Sequence, residues 1–218
     1  MACIRFTAKH SSCIKVWAYG NKPYHNQINK KRGNSLFDSQ GDTNMNYATI
    51  KPVDIANGEG VRTTLFVSGC RHHCKNCFNP EQWDFAFGKT FDDKVIEEVL
   101  SYLAPDYIVG LTLLGGEPFE KENQEGLIKL LKAVRKKYPG KNIWCYTGFV
   151  LDKELWGKSR ASGPNADELL SLIDVLVDGR FVEELKDITL RFRGSSNQRI
   201  INMPETLKSH KVVLYNLK

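Results

Sequence analysis

The chain has 218 residues, of which 41% are hydrophobic and 26% are charged, a composition typical of a globular protein with one domain-sized core. No stretch approaches the roughly 20 consecutive apolar residues of a membrane helix, and no signal-peptide pattern opens the chain, so we expect a cytoplasmic protein without membrane contact. The formal net charge of +6 is concentrated in residues 1–44, which hold seven basic and two acidic side chains. The rest of the chain holds 24 basic and 23 acidic side chains, so no nucleic-acid partner is expected.

Residues 1–44 differ in composition from the rest of the chain. They are rich in Asn, Lys, Ser and Gly and show no sustained period of 2 or 3.6 residues. We interpret them as a poorly ordered N-terminal extension that precedes a single domain at residues 45–218. The alternative is a short extra lobe in which Ile14, Val16, Trp17 and Tyr19 form one strand.

From Met45 onward, predicted strands alternate with predicted helices. The predicted strands are residues 63–67, 107–114, 142–147, 174–177 and 199–202, with a further candidate at 212–215. The predicted helices are residues 91–103, 121–138 and 167–173. This alternation indicates βα units around a mostly parallel sheet, and about five units are too few to close an eight-stranded barrel. The predicted fold class is therefore α/β, an open, partial (β/α) barrel.

The strongest chemical signal is a C-x3-C-x2-C run formed by Cys70, Cys74 and Cys77. Three of the chain's six cysteines within eight residues, without a secretory signal, favour metal binding over disulfides. Thiolates bind iron–sulfur clusters and zinc. A four-iron cluster takes four ligands, so three cysteines would leave one iron open to a substrate or cofactor. The run follows a predicted strand, which places it at the edge where βα folds carry their active sites.

Two other kinds of metal protein remain open at this point. A structural zinc site would need His72 or His73 as fourth ligand, but such sites commonly use two separated pairs, and this chain has no second pair. Both histidines are better interpreted as solvated or loop-packing residues. An electron-transfer ferredoxin normally supplies four cysteines to its cluster, and this run supplies three.

Polar and glycine residues also follow the later predicted strands. Gly115, Gly116 and Glu117 follow the second strand, where they are either an ordinary turn or a place of close backbone approach to a ligand. Thr147 ends the third strand, and Asp178 ends the fourth. Such residues are also common as ordinary caps, and Cys145 inside the third strand is expected to be a buried, inert thiol.

The cysteine run after the first strand resembles the signature of the radical S-adenosylmethionine superfamily. Asn76 stands where many members carry an aromatic residue, and Phe78 follows the third cysteine. Further stretches resemble one subgroup, the activating enzymes of the anaerobic (class III) ribonucleoside-triphosphate reductase: residues 55–63, 66–70, 77–83, 178–181 and 192–200. These motifs agree in order and spacing from about residue 45 to residue 203, and residues 1–44 lie outside the resemblance.

The resemblance implies roles for particular residues of a partial barrel of the radical-SAM type. Three cysteines would be the ligands of a 4Fe–4S cluster and the catalytic centre: Cys70, Cys74 and Cys77. The residues implied to contact S-adenosylmethionine are Asn76, Cys77, Phe78, Gly115, Gly116, Glu117, Thr147 and Asp178. A third set would line the site or meet a partner: Arg193, Ser195, Asn197 and Arg199.

The resemblance also implies an activity. The cluster would pass one electron to S-adenosylmethionine, which splits into methionine and a 5′-deoxyadenosyl radical. That radical would remove hydrogen from a glycine of the large glycyl-radical subunit of the anaerobic ribonucleoside-triphosphate reductase, with a flavodoxin-type protein as electron donor. The alternatives are a pyruvate formate-lyase activase, a radical synthase acting on a pterin-like small molecule, or a non-catalytic zinc module. The run of residues 193–199 favours the reductase activase.

Overall fold

The computed structural model describes residues 45–217, so the interpretation of residues 1–44 lies outside the described residues. Within 45–217 one seven-stranded sheet contains β1 (Asn46–Asp54), β2 (Val61–Val67), β3 (Lys89–Thr90), β4 (Ile108–Gly115), β5 (Asn142–Tyr146), β6 (Val175–Asp178) and β7 (Arg199–Asn202). The helices are α1 (Asp93–Tyr102), α2 (Lys121–Lys137), α3 (Pro164–Ser171) and α4 (Met203–Ser209).

The sheet is mixed, with the strand order β3-β1-β2-β4-β5-β6-β7. The pairs β2·β4, β4·β5 and β5·β6 are parallel, whereas β1 pairs antiparallel with β2 and β3, and β7 pairs antiparallel with β6. The α/β class is therefore confirmed, but a parallel arrangement is found only in the four central strands. β1 and β2 are joined by residues 55–60, too few for the crossover that a parallel pair requires.

The core lies between the central strands and the helices. β4 is buried on both faces apart from Val109 and the half-buried Gly115 at its end, as its apolar run predicts. Asp92 caps α1 through its Oδ1, which accepts a 3.0 Å bond from the Val95 amide. The buried faces of α1 and α2 carry the apolar residues spaced three and four apart in the sequence.

Most predicted elements lie within a few residues of the observed ones, and the differences have local causes. α3 begins earlier than predicted, because Pro164 occupies its first turn. Residues 212–215 form a single bridge, Leu214 with Ile201, instead of a strand. α4 was not predicted, although Asn202 caps it by accepting from the Glu205 amide. None of the helices in residues 45–217 is both long and apolar enough to span a membrane.

A buried arginine aligns the central strands at the edge where β2 begins. Arg62 is fully buried, and its guanidinium donates to Thr112 Oγ1 at 2.7 Å, Asn142 Oδ1 at 2.7 Å and the Leu111 carbonyl at 2.8 Å. Burial lowers the pKa of Arg62 to about 10. Because β2, β4 and β5 are joined there and run parallel, their carboxyl ends meet at the opposite edge, where the cysteine run begins.

Candidate metal centre

The cysteine loop, residues 70–77, leaves the end of β2 through a glycine that no other residue can replace without strain. Gly69 has φ +90°, and a Cβ there would lie 2.3 Å from the ring of Phe85. Its amide donates to the Gln82 carbonyl at 2.9 Å, and the amide of Cys70 donates to the Trp83 carbonyl at 3.1 Å. These bonds hold the start of the loop against residues 80–85.

Two residues with left-handed backbone turn the loop around its second and third cysteines. His73 has φ 47° and Asn76 has φ 56°. The amide of Cys77 donates to the Cys74 carbonyl at 3.1 Å and closes the turn. Asparagine adopts this conformation more readily than most residues, so Asn76 has a backbone role at this position. The Asn79 amide also approaches Cys77 Sγ at 3.5 Å.

The three thiols of the loop are free, with Cys70 buried and Cys74 and Cys77 half-buried. Burial, and secondly the negative charge of Glu117, raise the pKa of Cys70 to about 12. Burial also raises the pKa of Cys74, with a further contribution from Cys77. A bound metal supplies the positive charge that ionises such thiols, so this donor set fits iron or another thiophilic metal.

The arrangement of the donor side chains is compatible with a cluster. Within residues 45–217, no three His, Cys, Asp or Glu side chains are grouped closely enough to hold one metal ion. In a 4Fe–4S cluster each cysteine binds a different iron, so its ligands need not converge on one point. His72 is bonded to Glu117, and the His73 ring stacks on Trp83 with centroids 4.6 Å apart. His72 is thus packed in the loop and His73 is exposed beside Trp83, in line with their interpretation as loop-packing or solvated residues.

A cavity of about 360 Å³ lies beside Cys74 and Cys77. One wall is formed by the cysteine loop, including Asn76, and by Phe78 directly after it, and the other is formed by residues between 181 and 198. Phe78 is 94% exposed. The volume lies in the range of small-molecule and cofactor sites. The structure therefore places Asn76, Cys77 and Phe78 around one space next to the thiols.

The glycines after β4 approach the cysteine loop itself. Gly115 has φ +112°, and a Cβ on Gly116 would lie 2.6 Å from the Gly69 carbonyl oxygen. The Gly116 amide donates to the Val67 carbonyl and the Glu117 amide to the Gly69 carbonyl, both at 2.8 Å. The two glycines therefore let the end of β4 pack tightly against the start of the loop.

The Glu117 carboxylate is almost fully buried and is surrounded by four protein donors. Oε1 accepts from the Phe119 amide at 2.9 Å and from Thr147 Oγ1 at 2.8 Å. Oε2 accepts from the Gly148 amide at 2.7 Å and pairs with His72 Nε2 at 3.0 Å. Glu117 therefore joins the end of β4, the residues after β5 and the cysteine loop, and its contact with S-adenosylmethionine stays a prediction.

Asp178 is similarly engaged at the end of β6. It is buried and bonded to Arg199 through Nε–Oδ1 at 2.9 Å and Nη2–Oδ2 at 2.5 Å, and it accepts from the Leu151 amide at 2.8 Å. The hydrogen bond that Arg199 donates to Asp178 is the main cause that raises the pKa of Arg199. Thr147 and Asp178 lie at the predicted edge of the sheet, and their roles toward a cofactor remain predictions.

The structure separates the four polar residues of the C-terminal run. Arg193 lines the cavity and donates to the Gln198 carbonyl at 2.7 Å. Ser195 is fully buried, and its Oγ accepts from the Val182 amide at 3.2 Å. Asn197 donates to the Arg180 carbonyl at 2.8 Å. Ser195 and Asn197 thus brace the wall of the cavity, whereas Arg199 binds Asp178 at the end of β6. Gln198, which the sequence analysis missed, lines the cavity.

Sequence reasoning also missed a buried carboxylate beneath the loop. Glu120 accepts from the Arg71 amide at 3.0 Å, from Arg71 Nη1 at 2.7 Å and from Arg160 Nη2 at 2.9 Å. Burial by itself would raise the pKa of Glu120, but hydrogen bonds from Arg160 and Arg71 hold it below its usual value. The only local signal was its position just before α2, so these distant partners were not predictable.

Replacing Glu120 with glutamine is expected to lower the free energy of unfolding of the metal-free chain by about 1–3 kcal/mol at pH 7. The variant leaves Arg71 and Arg160 without a buried carboxylate. Because folding lowers the pKa of Glu120, its contribution is present above the unfolded value near 4.5 and is lost as the pH falls through the folded value. Urea unfolding should therefore show a smaller difference between variant and wild type below pH 4.5 than at pH 7.

The control for this prediction is Glu122→Gln. Glu122 pairs with Arg71 at 2.6 Å, but both side chains are more than one-third exposed. Exposed pairs contribute about 0–1 kcal/mol. Equal losses in the two variants, or a Glu120→Gln difference that does not shrink in acid, would contradict this account.

The fold and the three-cysteine loop are those of an α/β protein with a site for a thiophilic metal, and comparison with known proteins identifies it as an iron–sulfur protein. Residues 56–201 match the family described as a 4Fe-4S single cluster domain. The chain is 44% identical over 158 residues to an anaerobic ribonucleoside-triphosphate reductase-activating protein of Haemophilus influenzae, a match that covers 72% of this chain and 97% of the relative. The chain belongs to the family of anaerobic ribonucleoside-triphosphate reductase-activating proteins.

Two other members support the same assignment. The protein of Escherichia coli K12 is 43% identical over 158 residues, which are 71% of this chain and 96% of the relative. The protein of Enterobacteria phage T4 is 36% identical over 168 residues, which are 76% of this chain and 99% of the relative. Both carry the same name as the Haemophilus protein.

Proposed function

We propose that this protein is a radical-SAM activase of the anaerobic ribonucleoside-triphosphate reductase. The observation that carries the proposal is the loop of Cys70, Cys74 and Cys77, three thiol ligands beside a cavity of about 360 Å³. Membership of the activating-protein family supports the choice of the reductase as target. A partial barrel of the radical-SAM type is part of the same proposal.

Bound at this site, a 4Fe–4S cluster and S-adenosylmethionine would supply one-electron cleavage of the C5′–S bond. The products would be methionine and a 5′-deoxyadenosyl radical, which would take hydrogen from a glycine of the reductase. The chain's own contribution is to hold and orient these groups and to exclude water. Cys70, Cys74 and Cys77 would each ligate one iron and leave the fourth open.

The proposed contacts to S-adenosylmethionine come from the cavity wall and from the glycines after β4, which lie outside the lining of the cavity. Asn76 and Phe78 would flank the molecule, since both line the cavity beside Cys77. The carbonyl groups of Gly115 and Gly116 are our preferred acceptors for its ammonium group, because the Glu117 carboxylate already accepts four protein bonds. Glu117, Thr147 and Asp178 would then act mainly by holding the strand ends in place.

The mouth of the cavity fits a protein substrate. Phe78 and Ile188 line it and are 94% and 91% exposed. Such exposed apolar side chains beside a reactive centre are typical of surfaces that meet a partner. We propose that the glycine-bearing segment of the reductase enters here, in the cytoplasm, and that a flavodoxin-type protein supplies the electron.

The proposal is tested by mixing the reconstituted protein with the anaerobic reductase, S-adenosylmethionine and a one-electron reductant under anaerobic conditions. Electron paramagnetic resonance (EPR) should then show a glycyl radical on the reductase, and omission of any one component should abolish it. A radical formed on pyruvate formate-lyase instead of the reductase, or rapid turnover of a small molecule without a protein partner, would overturn the assignment. Zinc without iron or sulfide in the purified protein would support the zinc module.

A further inference from the structure

His72 lies inside the cysteine loop, between Cys70 and Cys74, but its side chain points into the protein. The side chain is 3% exposed, and Nε2 lies 3.0 Å from Glu117 Oε2. On the other side of the ring, Arg180 Nε donates to Nδ1 at 3.0 Å. His72 therefore connects the loop to the residues that follow β4 and β6.

The two contacts determine where the ring carries its proton. A guanidinium N–H can only donate, so Nδ1 must accept from Arg180. The proton of the neutral ring is then on Nε2, which donates to the Glu117 carboxylate. Because each nitrogen has its own partner of opposite hydrogen-bonding type, a flipped ring would lose both bonds.

The residues that follow β5 leave a space that fits this ring. A Cβ on Gly148 would lie 2.5 Å from His72 Cδ2 and 2.7 Å from Nε2, and its three nearest atoms all belong to the His72 ring. The ring of Phe149 packs edge-on against the imidazole with centroids 4.5 Å apart. His72 is thus held by packing as well as by hydrogen bonds.

We propose that His72 is a positioning residue that fastens the cysteine loop to the residues following β4, β5 and β6, and so sets the orientation of the cluster relative to the cofactor cavity. The inference rests on the proposed function for its link to catalysis. The ring's contacts with Glu117, Gly148 and Arg180 stand independently of it. His72 acts through its neighbours Cys70 and Cys74 and need not touch iron or cofactor.

The test is a double-mutant cycle of His72→Ala and Gly148→Ala in the reconstituted protein. Each single variant is expected to form about 10–100-fold less glycyl radical per cluster and to weaken the EPR response of the cluster to S-adenosylmethionine, while the iron content per chain stays as in the wild type. In the His72→Ala background, Gly148→Ala should add nothing, because the new methyl group then meets no ring.

The matched control is His73→Asn, in the same loop. His73 contacts Trp83 and has a left-handed backbone that asparagine tolerates, so radical yield per cluster should not change. If His72→Ala does not fold, Arg180→Met offers a milder variant, since Arg180 is half exposed and the substitution removes the donor to Nδ1 together with an exposed ion pair to Glu154. The radical yield per cluster of Arg180→Met should also be lower than that of the wild type.

Each of three results would overturn the proposal. The first is that the His72 and Gly148 variants keep the wild-type radical yield and EPR response per cluster. The second is that Gly148→Ala has the same effect whether or not His72 is already alanine, and the third is that the radical yield falls only in proportion to iron content. Nitrogen NMR of the metal-free wild type separates the proposal from the proposed function. A proton on Nε2 in a protein that makes no glycyl radical would refute the function but retain the ring contacts. A proton on Nδ1 would refute the contacts themselves.

Discussion

Replacing Cys74 with alanine is expected to reduce the cleavage of S-adenosylmethionine by more than about 100-fold, because loss of a ligand should exceed the 10–100-fold typical of outer-shell changes. Cys74 is half-buried, lies between the other two thiols in the sequence and lines the cavity. Without it a cluster would have two cysteine ligands from this loop. The measurements are iron and sulfide content after anaerobic reconstitution, and the yield of 5′-deoxyadenosine with a chemical reductant.

The matched control is Cys145→Ala. Cys145 lies in β5, is fully buried, and burial raises its pKa well above the usual value, so it is an inert thiol away from the loop. This variant should keep the cluster and the cleavage activity. Equal loss of iron in both variants, or full activity in Cys74→Ala, would mean that the cluster is not held by the C-x3-C-x2-C loop.

Replacing Glu117 with leucine is expected to lower the free energy of unfolding by about 3–5 kcal/mol, the cost of removing one partner from a buried polar network. The substitution leaves four buried donors without their acceptor: the Phe119 and Gly148 amides, Thr147 Oγ1 and His72 Nε2. Glu117→Gln keeps one acceptor oxygen and should cost about 1–3 kcal/mol. Urea unfolding of the metal-free chain measures both effects.

Glu125→Leu is the control for this substitution, because Glu125 lies on the exposed side of α2. Exposed substitutions usually change stability by less than about 0.5 kcal/mol. Wild-type stability in Glu117→Leu would show that the four bonds do not form. A Glu117→Gln variant with wild-type stability but much weaker binding of S-adenosylmethionine would instead favour direct contact between the carboxylate and the ammonium group.

The central strands could be predicted from the sequence because their signal is local. The apolar run of β4 and the spacing of apolar residues within α1 and within α2 are visible in the sequence, and the same residues are buried in the structure. β1 gave no such signal, because most of its residues are half-buried or exposed in an irregular pattern. The antiparallel pairing of β1 and β7 depends on their partners, so a mostly parallel sheet was the wrong expectation for the edges.

In the candidate site, too, only the features with a local signal could be predicted from the sequence. The spacing of Cys70, Cys74 and Cys77, and the polar residues after each strand, could be read from neighbouring positions. Their partners could not, since the contacts of His72 with Glu117 and Arg180 join positions 45 and 108 residues apart. A buried carboxylate such as Glu117 looks the same in a sequence whether it meets a ligand or four protein donors.

The most direct test of the account is EPR of the anaerobically reconstituted and reduced protein, recorded with and without S-adenosylmethionine. We expect the signal of a reduced 4Fe–4S cluster whose shape changes when S-adenosylmethionine is added, because with three cysteine ligands one iron would be open to it. A protein that assembles no cluster, or a cluster whose signal is the same with and without S-adenosylmethionine, would contradict the assignment of the three-cysteine loop as an open iron–sulfur centre.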